Sequence, residues 1–500
     1  MENEKDLVLG KIQLFENNFE YSLKETAIIL AAGHGKRIKS NTSKMLHKIW
    51  EKPTVERVYD ACKEGLNGMN IVVVVGIKAS DVIDVISNRA NTTFAYQEQQ
   101  NGTGHAVQVA LDTIEENKYD GIVYVLPGDM GLINKETMAE FKINFANSGA
   151  DMVVLTGLYE GEPELNSYGR IVRVKALDSE GNPSGKDEGK VIEIIEHKDI
   201  LRLNETEPYK LHFNGRVYSY SRKELIENNE FNSGVYAFKY NHLVKLIKQV
   251  NSNNAQNEIY ITDLISIFNQ NALTVGAVCP QQQYVLMGFN NKSVLKQMEQ
   301  IARENIYEKI KDIIEIEDPE DFFIHENVVK DIIELDSNGQ PLEIKIGKGV
   351  YIGAGVKINY NLTLKKNAFI NGNVIFGKNV TIWENAMLST FPNQKLILGN
   401  NVEILWGDIV KGDIQVGDNA RIESSVNVTG SDEHPVRIGK NVVIKGTSYI
   451  FGSTIEDDIF VEHSILIKKK VERNKRKNGD VQQVKFFLPP PEGMDSISDI

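Results

Sequence analysis

From Ile346 onward an apolar residue recurs at every sixth position: Ile346, Ile352, Ile358, Leu364, Ile370, Phe376, Ile382 and Leu388. The series slips by four residues and resumes as Leu398, Ile404, Val410, Val416, Ile422 and Val428. It slips by four again to Ile438, Ile444 and Ile450, and a one-residue deletion leads to Ile455, Val461 and Ile467. Unrelated two-stranded hairpins would repeat every second residue with no preference for six. A hexapeptide period specifies a parallel β-helix, with three short strands per triangular coil and one apolar side chain of each hexapeptide aimed at the axis. Gly347, Gly353, Gly377, Gly399, Gly417 and Gly439 fall near these positions, where a tight corner is turned at little steric cost. The spacing predicts between six and seven coils, stacked about 4.8 Å apart.

Such a prism takes up only the second part of a 500-residue chain, which is longer than one core usually supports. In the first half, strand-like runs at 26–30, 70–75, 121–126 and 151–158 alternate with helical spacing at 106–114 and 135–145. This alternation predicts a mostly parallel α/β sheet covered on both faces. Helical spacing over 291–312 predicts a connecting helix, and the acidic 315–321 and the Gly339–Pro341 turn lead into the prism. The expected organisation is an N-terminal extension over 1–23, an α/β domain over 24–290, a linker helix and connector over 291–340, a β-helix over 341–467 and a C-terminal tail over 468–500. That tail opens with the basic stretch 468–477 and is expected to be partly extended.

The chain carries 56 Lys and Arg against 69 Asp and Glu, a formal net charge of -13, which argues against a nucleic-acid partner but permits a local basic site for a phosphate-bearing molecule. Cys62 and Cys279 are far apart and fit no metal or disulfide framework. The N-terminus lacks a basic region followed by an apolar run, and no window approaches a membrane span. The expectation is a cytoplasmic protein without a membrane partner.

The first segment that bears on chemistry is Leu30-Ala31-Ala32-Gly33-His34-Gly35-Lys36-Arg37, followed by Lys44. Small residues after a buried strand let backbone N–H groups close on an anion, and Arg37 and Lys44 add positive charge. It is not a Rossmann fingerprint, since Ile38 stands where the third glycine belongs, and Arg37 excludes a Walker A loop. Further on come Tyr96-Gln97-Glu98-Gln99-Gln100-Asn101-Gly102-Thr103-Gly104-His105-Ala106, Pro127-Gly128-Asp129, Tyr168-Gly169-Arg170, Glu196-His197-Lys198-Asp199, Asn232-Ser233-Gly234, Asn254-Ala255-Gln256 with Thr262-Asp263, and Gly288-Phe289-Asn290-Asn291.

In this order, the segments resemble those of the bacterial bifunctional N-acetylglucosamine-1-phosphate uridylyltransferase/glucosamine-1-phosphate acetyltransferase family, over about residues 24–300. The resemblance implies a Rossmann-like, GT-A-like nucleotidyltransferase domain followed by a left-handed parallel β-helix, assembled as a homotrimer through that helix. It implies transfer of UMP from UTP to a sugar 1-phosphate, N-acetylglucosamine 1-phosphate, with release of pyrophosphate. By the same resemblance Asp129 and Asn290 hold Mg2+, and Arg37 and Lys44 neutralise the triphosphate. Leu30, Ala32, Gly33, Gln97, Gly102 and Thr103 bind the nucleotide. Gly169, Glu196 and Asn232 bind the sugar, and Asn290 also contacts substrate. Another sugar 1-phosphate, thymine in place of uracil, a bifunctional enzyme that also acetylates glucosamine 1-phosphate, and a non-catalytic sugar-nucleotide sensor are alternatives at this level.

The chain departs from the family pattern at Lys36 (Thr), Ser43 (Pro) and Gly131 (Pro), and carries insertions over 171–195 and 200–231, the second with Tyr209, Phe213, Tyr218 and Tyr220. These flank the expected sugar site, so either a larger sugar or surface decoration follows. The family's acetyltransferase motifs, NHxxYxGD and CNYDG, do not occur. Ile370-Asn371-Gly372-Asn373 and Trp406-Gly407-Asp408 stand instead, with His434 in a loop over 431–435, so the prism is expected to act in trimerisation rather than in acetyl transfer.

Overall fold

The computed structural model describes residues 4–33, 35, 38–254, 256–490, 492 and 496. Two compact units divide between Glu299 and Gln300, inside the helix Lys292–Ile310.

The first unit is built on a twisted sheet. Its strands are β1 (Glu25–Ala31), β2 (Asn70–Val75), β3 (Thr92–Tyr96), β4 (Ile122–Pro127), β5 (Met152–Leu158), β6 (Arg170–Arg173) and β7 (Val191–Ile195), then a separate hairpin of β8 (Tyr209–Phe213) and β9 (Arg216–Tyr220), then β10 (Glu230–Lys239) and β11 (Val275–Val278). The order across the sheet is β11-β5-β10-β4-β1-β2-β3, with β6 and β7 added at the end of β10. All pairings along that path are parallel except those of β10, which runs antiparallel to both β4 and β5.

The strands read as continuous apolar runs because both faces are covered. Ala27, Ile29 and Ala31 pack on the helices Thr54–Leu66, Ala79–Ile86 and Lys135–Ser148, while Ile28 on the opposite face packs with Val72, Val74 and the helices Thr103–Leu111, Tyr240–Leu246 and Leu264–Gln270. Helix ends follow ordinary capping chemistry: Asn134 accepts from the Thr137 N–H at 2.8 Å, and Gly149 takes the left-handed turn after Ser148.

The extension before the sheet contains a helix, Glu4–Phe15, whose Val8 and Ile12 are buried in the domain core. Beyond it the Asn17 N–H donates to the Thr92 carbonyl at 2.8 Å, so the extension covers β3, the edge strand of the sheet. The 200–231 insertion forms its own small core. Leu211, Phe213, Tyr218 and Tyr220 of the hairpin pack with Val172, Val174, Ile192, Ile195 and Ile200.

The second unit is a left-handed parallel β-helix whose three faces have nine, eight and six strands among the described residues. Eighteen of the twenty predicted interior positions are buried, and the two exceptions have local causes. Ile358 is half-buried at the start of the third face, where only the single bridge Lys357–Ile375 precedes the first full strand, Val374–Phe376. Ile467 is 43% exposed because a second one-residue deletion follows Val461 and brings Leu466 to the axis instead, at 2%.

The prism also outruns its expected bounds of 341 and 467. Glu315–Ile316 and Phe322–Ile324 form the first strands of two faces, and the helix Glu326–Asp336 interrupts the hexapeptide period before the next coil. Lys470–Val471 and Val484–Lys485 extend the third and first faces past 467. More coils form than the spacing predicted because these flanking segments supply rungs without the regular period.

The two four-residue slips are loops extruded at one corner, 390–395 and 430–435, joined by the Gln394 amide donating to Asp432 Oδ1 at 2.7 Å. At a second corner Asn361, Asn379, Asn401, Asn419 and Asn441 adopt φ of 57° to 60° and pass a side-chain hydrogen bond from coil to coil, ending on Asp458. Asparagine suits both tasks, since it tolerates the left-handed region and carries a donor and an acceptor. No helix among the described residues is long and apolar enough to cross a membrane.

Candidate active site

A cavity of about 340 Å3 opens at the C-terminal ends of β1 and β4, where open α/β sheets place their ligands. Leu30, Ala32, Gly33, Gln97, Gly102, Thr103, Glu196 and Asn232 line it, together with Met45, Gln100, Ala106, Pro127, Gly234, Tyr236, Glu258, Ile261 and Thr262. Most of the predicted binding residues, drawn from segments up to two hundred positions apart, therefore share one hollow. Gly33 has open space where a side chain would begin, and Gly35 is left-handed with a Cβ position that would strike the Lys44 side chain. Arg37, His34 and Lys36 lie outside the described residues.

The loop over 97–104 is held by close backbone packing. Gly102 has φ +104°, and a Cβ there would lie 2.6 Å from the Ile259 carbonyl oxygen. Gly104 donates to that same carbonyl at 2.7 Å, and Thr103 Oγ1 accepts from the Ile261 N–H at 3.2 Å. Gln97 is 3% exposed, and its Nε2 is engaged by the Gly102 carbonyl and His105 Nδ1, each at 3.1 Å. The amide plane is thus fixed, with the Oε1 on the opposite side. His105 is a residue that sequence reasoning passed over, although it lies in the quoted segment.

On the other side of the cavity a β-bulge shapes the site. The register of β10 against β5 shifts between Asn232 and Val235, with Gly234 at φ +83° in contact distance of Pro127. Asn232 Oδ1 accepts from the Gly234 N–H at 2.9 Å and the Tyr236 hydroxyl at 3.0 Å, which turns its Nδ2 donor away from them. The Asn232 N–H donates to the Gly169 carbonyl at 2.9 Å. Gly169 does not line the cavity but stands behind it. A Cβ there would come within 3.1 Å of Glu196 Oε1, so glycine leaves room for that carboxylate.

Burial, aided by the charges of Asp199 and Asp263, pushes the Glu196 carboxyl up to about 7. Burial, with Asp199, likewise pushes Asp263 up to about 6. Arg170 is fully buried and donates to the carbonyls of Pro163, Asn166 and Tyr168, fixing the loop before Gly169. The insertion hairpin stays outside the cavity: Tyr209 bonds Glu193 at 3.1 Å, while Phe213, Tyr218 and Tyr220 are spent in their own core.

The remaining predicted residues meet at one ammonium. Lys44 Nζ forms an ion pair with Asp129 Oδ2 and donates to Asn290 Oδ1 at 3.1 Å, 5.5 Å from the Phe289 ring centre. The Lys44 and Asp129 side chains are only 13% and 11% exposed. Asp129 follows β4, and Asn290 is anchored by the fully buried Phe289. Gly288 packs closely beside them, since a Cβ there would lie 3.1 Å from the Asp129 carboxylate, which would have to shift by a few tenths of an ångström. A carboxylate and a carboxamide oxygen are hard donors that suit Mg2+, which takes its other ligands from phosphates and water. The chemistry of this donor pair therefore fits that ion. The described residues contain no cluster of three or more His, Cys, Asp or Glu side chains able to hold a metal.

Two family departures have visible consequences. Ser43 is fully buried, and its hydroxyl has no hydrogen-bond partner among the described residues. Gly131 is packed so closely on Ile49 and Thr54 that a Cβ would lie 2.7 Å from Ile49 Cδ1, so a larger residue there requires those side chains to shift.

An α/β sheet with a cavity at the C-terminal ends of its strands, followed by a hexapeptide β-helix, is the architecture of a sugar-phosphate nucleotidyltransferase. Comparison with known proteins agrees: residues 27–198 match the MobA-like NTP transferase domain. The chain is 30% identical to the bifunctional protein GlmU of Thermoanaerobacter pseudethanolicus over 493 residues, covering 90% of this chain and 96% of that one. It is 30% identical to that of Acetivibrio thermocellus over 483 residues, covering 89% and 94%. The chain belongs to the GlmU family. Among solved structures, a putative glucose-1-phosphate thymidylyltransferase from Bacillus anthracis in complex with a sucrose is 17% identical, with a TM-score of 0.38 over 56% of this chain and 96% of that one.

Proposed function

We propose that the chain transfers UMP from UTP to N-acetylglucosamine 1-phosphate, giving UDP-N-acetylglucosamine and pyrophosphate. The observation that carries this reading is the convergence of Lys44, Asp129 and Asn290 beside a cavity that also holds Gln97, Glu196 and Asn232. The sugar-phosphate oxygen attacks the α-phosphorus in line and pyrophosphate leaves. Both reactants are anions, so the work of the protein is positioning and charge neutralisation.

Lys44 holds the triphosphate, and Arg37 is assigned to the leaving pyrophosphate. Ala32 and Gly33 admit the phosphates against the backbone after β1, below Leu30. Asp129 and Asn290 are the residues assigned to Mg2+, which when bound supplies charge neutralisation between the two phosphates. Gln97 Oε1 accepts from the imide N–H of uracil, and Gly102 and Thr103 leave room for the base. Asn232 donates through Nδ2 to an oxygen of the sugar or its N-acetyl group. Glu196, with a carboxyl near neutrality, exchanges a hydrogen bond with a sugar hydroxyl, and Gly169 keeps it in reach.

The prism is proposed as a trimerisation element without acetyl transfer, because Asn371-Gly372-Asn373 and Trp406-Gly407-Asp408 replace the family's acetyltransferase motifs. Asp408 is buried at a corner, where it accepts from the N–H groups of Leu405 and Val426.

The test is pyrophosphate release with each nucleoside triphosphate paired against a panel of sugar 1-phosphates. Fastest turnover with UTP and N-acetylglucosamine 1-phosphate is expected. Faster turnover with another pair would replace the substrate assignment, and binding without turnover would make the protein a sensor. Acetyl-CoA with glucosamine 1-phosphate is expected to release no thiol.

A further inference from the structure

The basic stretch after the prism has no part in the reaction above. Seven of the ten residues 468–477 are Lys or Arg and one is acidic, in a chain whose net charge is -13. The structure gives this stretch a shape. Lys470–Val471 and Val484–Lys485 are the last strands of two faces, and the residues between them fold out as a hairpin. Lys475 bridges Val481, Gln482 N–H donates to the Asn474 carbonyl at 2.7 Å, and Gly479 turns the tip at φ +87°.

Residues 472–480 are all exposed. Arg473 is held by Asp458, and Lys470 by Glu456 and Glu472. Lys475, Arg476 and Lys477 at the tip make no ion pair among the described residues, so their charge faces outward.

Immediately after the hairpin the chain exposes Phe486 (66%), Phe487 (43%) and Leu488 (61%) in succession. Phe486 is held in the left-handed region at φ +56°, with its ring stacked on His463 at 5.5 Å. A bulky side chain adopts that conformation only when its surroundings impose it. Phe487 lines a hollow of about 250 Å3 together with Lys469, Lys470, Asn474 and Gln482, so cationic and apolar groups share one surface.

We propose that this end of the prism docks peripherally on an anionic lipid surface, the hairpin tip pairing with headgroups and Phe486, Phe487 and Leu488 entering the acyl boundary. The charge selects an anionic partner, and the adjoining apolar run selects one that also offers hydrocarbon, which a bilayer does and a nucleic-acid backbone does not. The expectation of no membrane partner rested on the absence of a spanning segment, and a peripheral contact needs none.

The test is co-sedimentation of the full chain with phosphatidylglycerol–phosphatidylcholine vesicles and with pure phosphatidylcholine vesicles. The expected result is pelleting with the anionic vesicles alone, reversed by salt. The triple variant Lys475→Gln, Arg476→Gln, Lys477→Gln should lose roughly a hundred-fold in affinity. Phe486→Ser with Leu488→Ser should weaken binding at unchanged charge. Melting temperature and pyrophosphate release should be unaltered in both. Absence of pelleting by the wild type at low salt, equal binding by the triple variant, or capture of single-stranded RNA with no capture of vesicles would overturn the proposal.

Discussion

At the residue scale, Ser43 and Glu196 carry the sharpest expectations. Ser43 has φ -55°, a value a proline ring adopts, and its buried hydroxyl is unsatisfied among the described residues. Ser43→Pro is therefore expected to raise stability by about 0.5–1 kcal/mol, through a less flexible unfolded chain and removal of an unpaired polar group, as read by denaturant midpoint. Glu196 has a folded-state value near 7, above its ordinary 4.5. The native state thus holds this proton more tightly than the unfolded chain, and the stability it confers is complete below about pH 4.5 and is lost as pH rises to 7. Glu196→Gln cannot ionise, so its stability relative to wild type should increase across that window by no more than ~3 kcal/mol. A constant difference between pH 4 and 8 would show that Glu196 is not held neutral by its surroundings.

At the scale of elements, the loop proposed to hold the base rests on a glycine that has neither steric nor conformational latitude. Gly102→Ala must displace the Ile259 carbonyl or leave φ +104°, and the loop carrying the Gln97 contact would shift with it. A rise of ten-fold or more in KM for UTP, with a smaller change in kcat, is expected from initial-rate kinetics. An unchanged KM would detach this loop from nucleotide binding. Elements with strict periods were the ones legible in advance. The prism could be read because each interior residue repeats at six, and the parallel strands because burial on both faces makes them uniformly apolar. The first rung was hidden because the helix Glu326–Asp336 separates Phe322–Ile324 from its neighbour Val350–Ile352, so partners adjacent in space are remote in sequence. The position of Asn232 depends on a bulge in an antiparallel strand, a pairing that local pattern does not encode. The helix Glu4–Phe15 went unread because its two buried residues, Val8 and Ile12, sit among the exposed Leu7, Leu9 and Leu14 and define no clean face.

At the scale of the whole molecule, one face of the prism is unlike the others. One row of its outward positions runs Phe323, Tyr351, Phe369, Met387, Ile409, Asn427, Tyr449 and Ile465, seven of them apolar or aromatic, beside a second, more polar row of Asn371, Ser389, Lys411, Thr429, Phe451 and Ile467. The first three stack at 4.7 Å, and Met387 and Ile409 are 45% and 38% exposed. Faces of this kind bury against symmetry mates, and the proposed trimer would use this one. Met387→Glu with Ile409→Glu should shift the mass measured by light scattering from trimer to monomer; an unchanged trimer would move the interface to another face.

The account stands on a carboxylate and a carboxamide brought to one ammonium so that two phosphates can meet. Its most direct test is pyrophosphate release by Asp129→Asn at saturating UTP and N-acetylglucosamine 1-phosphate, titrated with Mg2+. The expected result is a loss of at least a thousand-fold in turnover that added Mg2+ does not restore, in a variant that still melts in one cooperative transition. A variant that turns over at the wild-type rate with the wild-type Mg2+ dependence would contradict it.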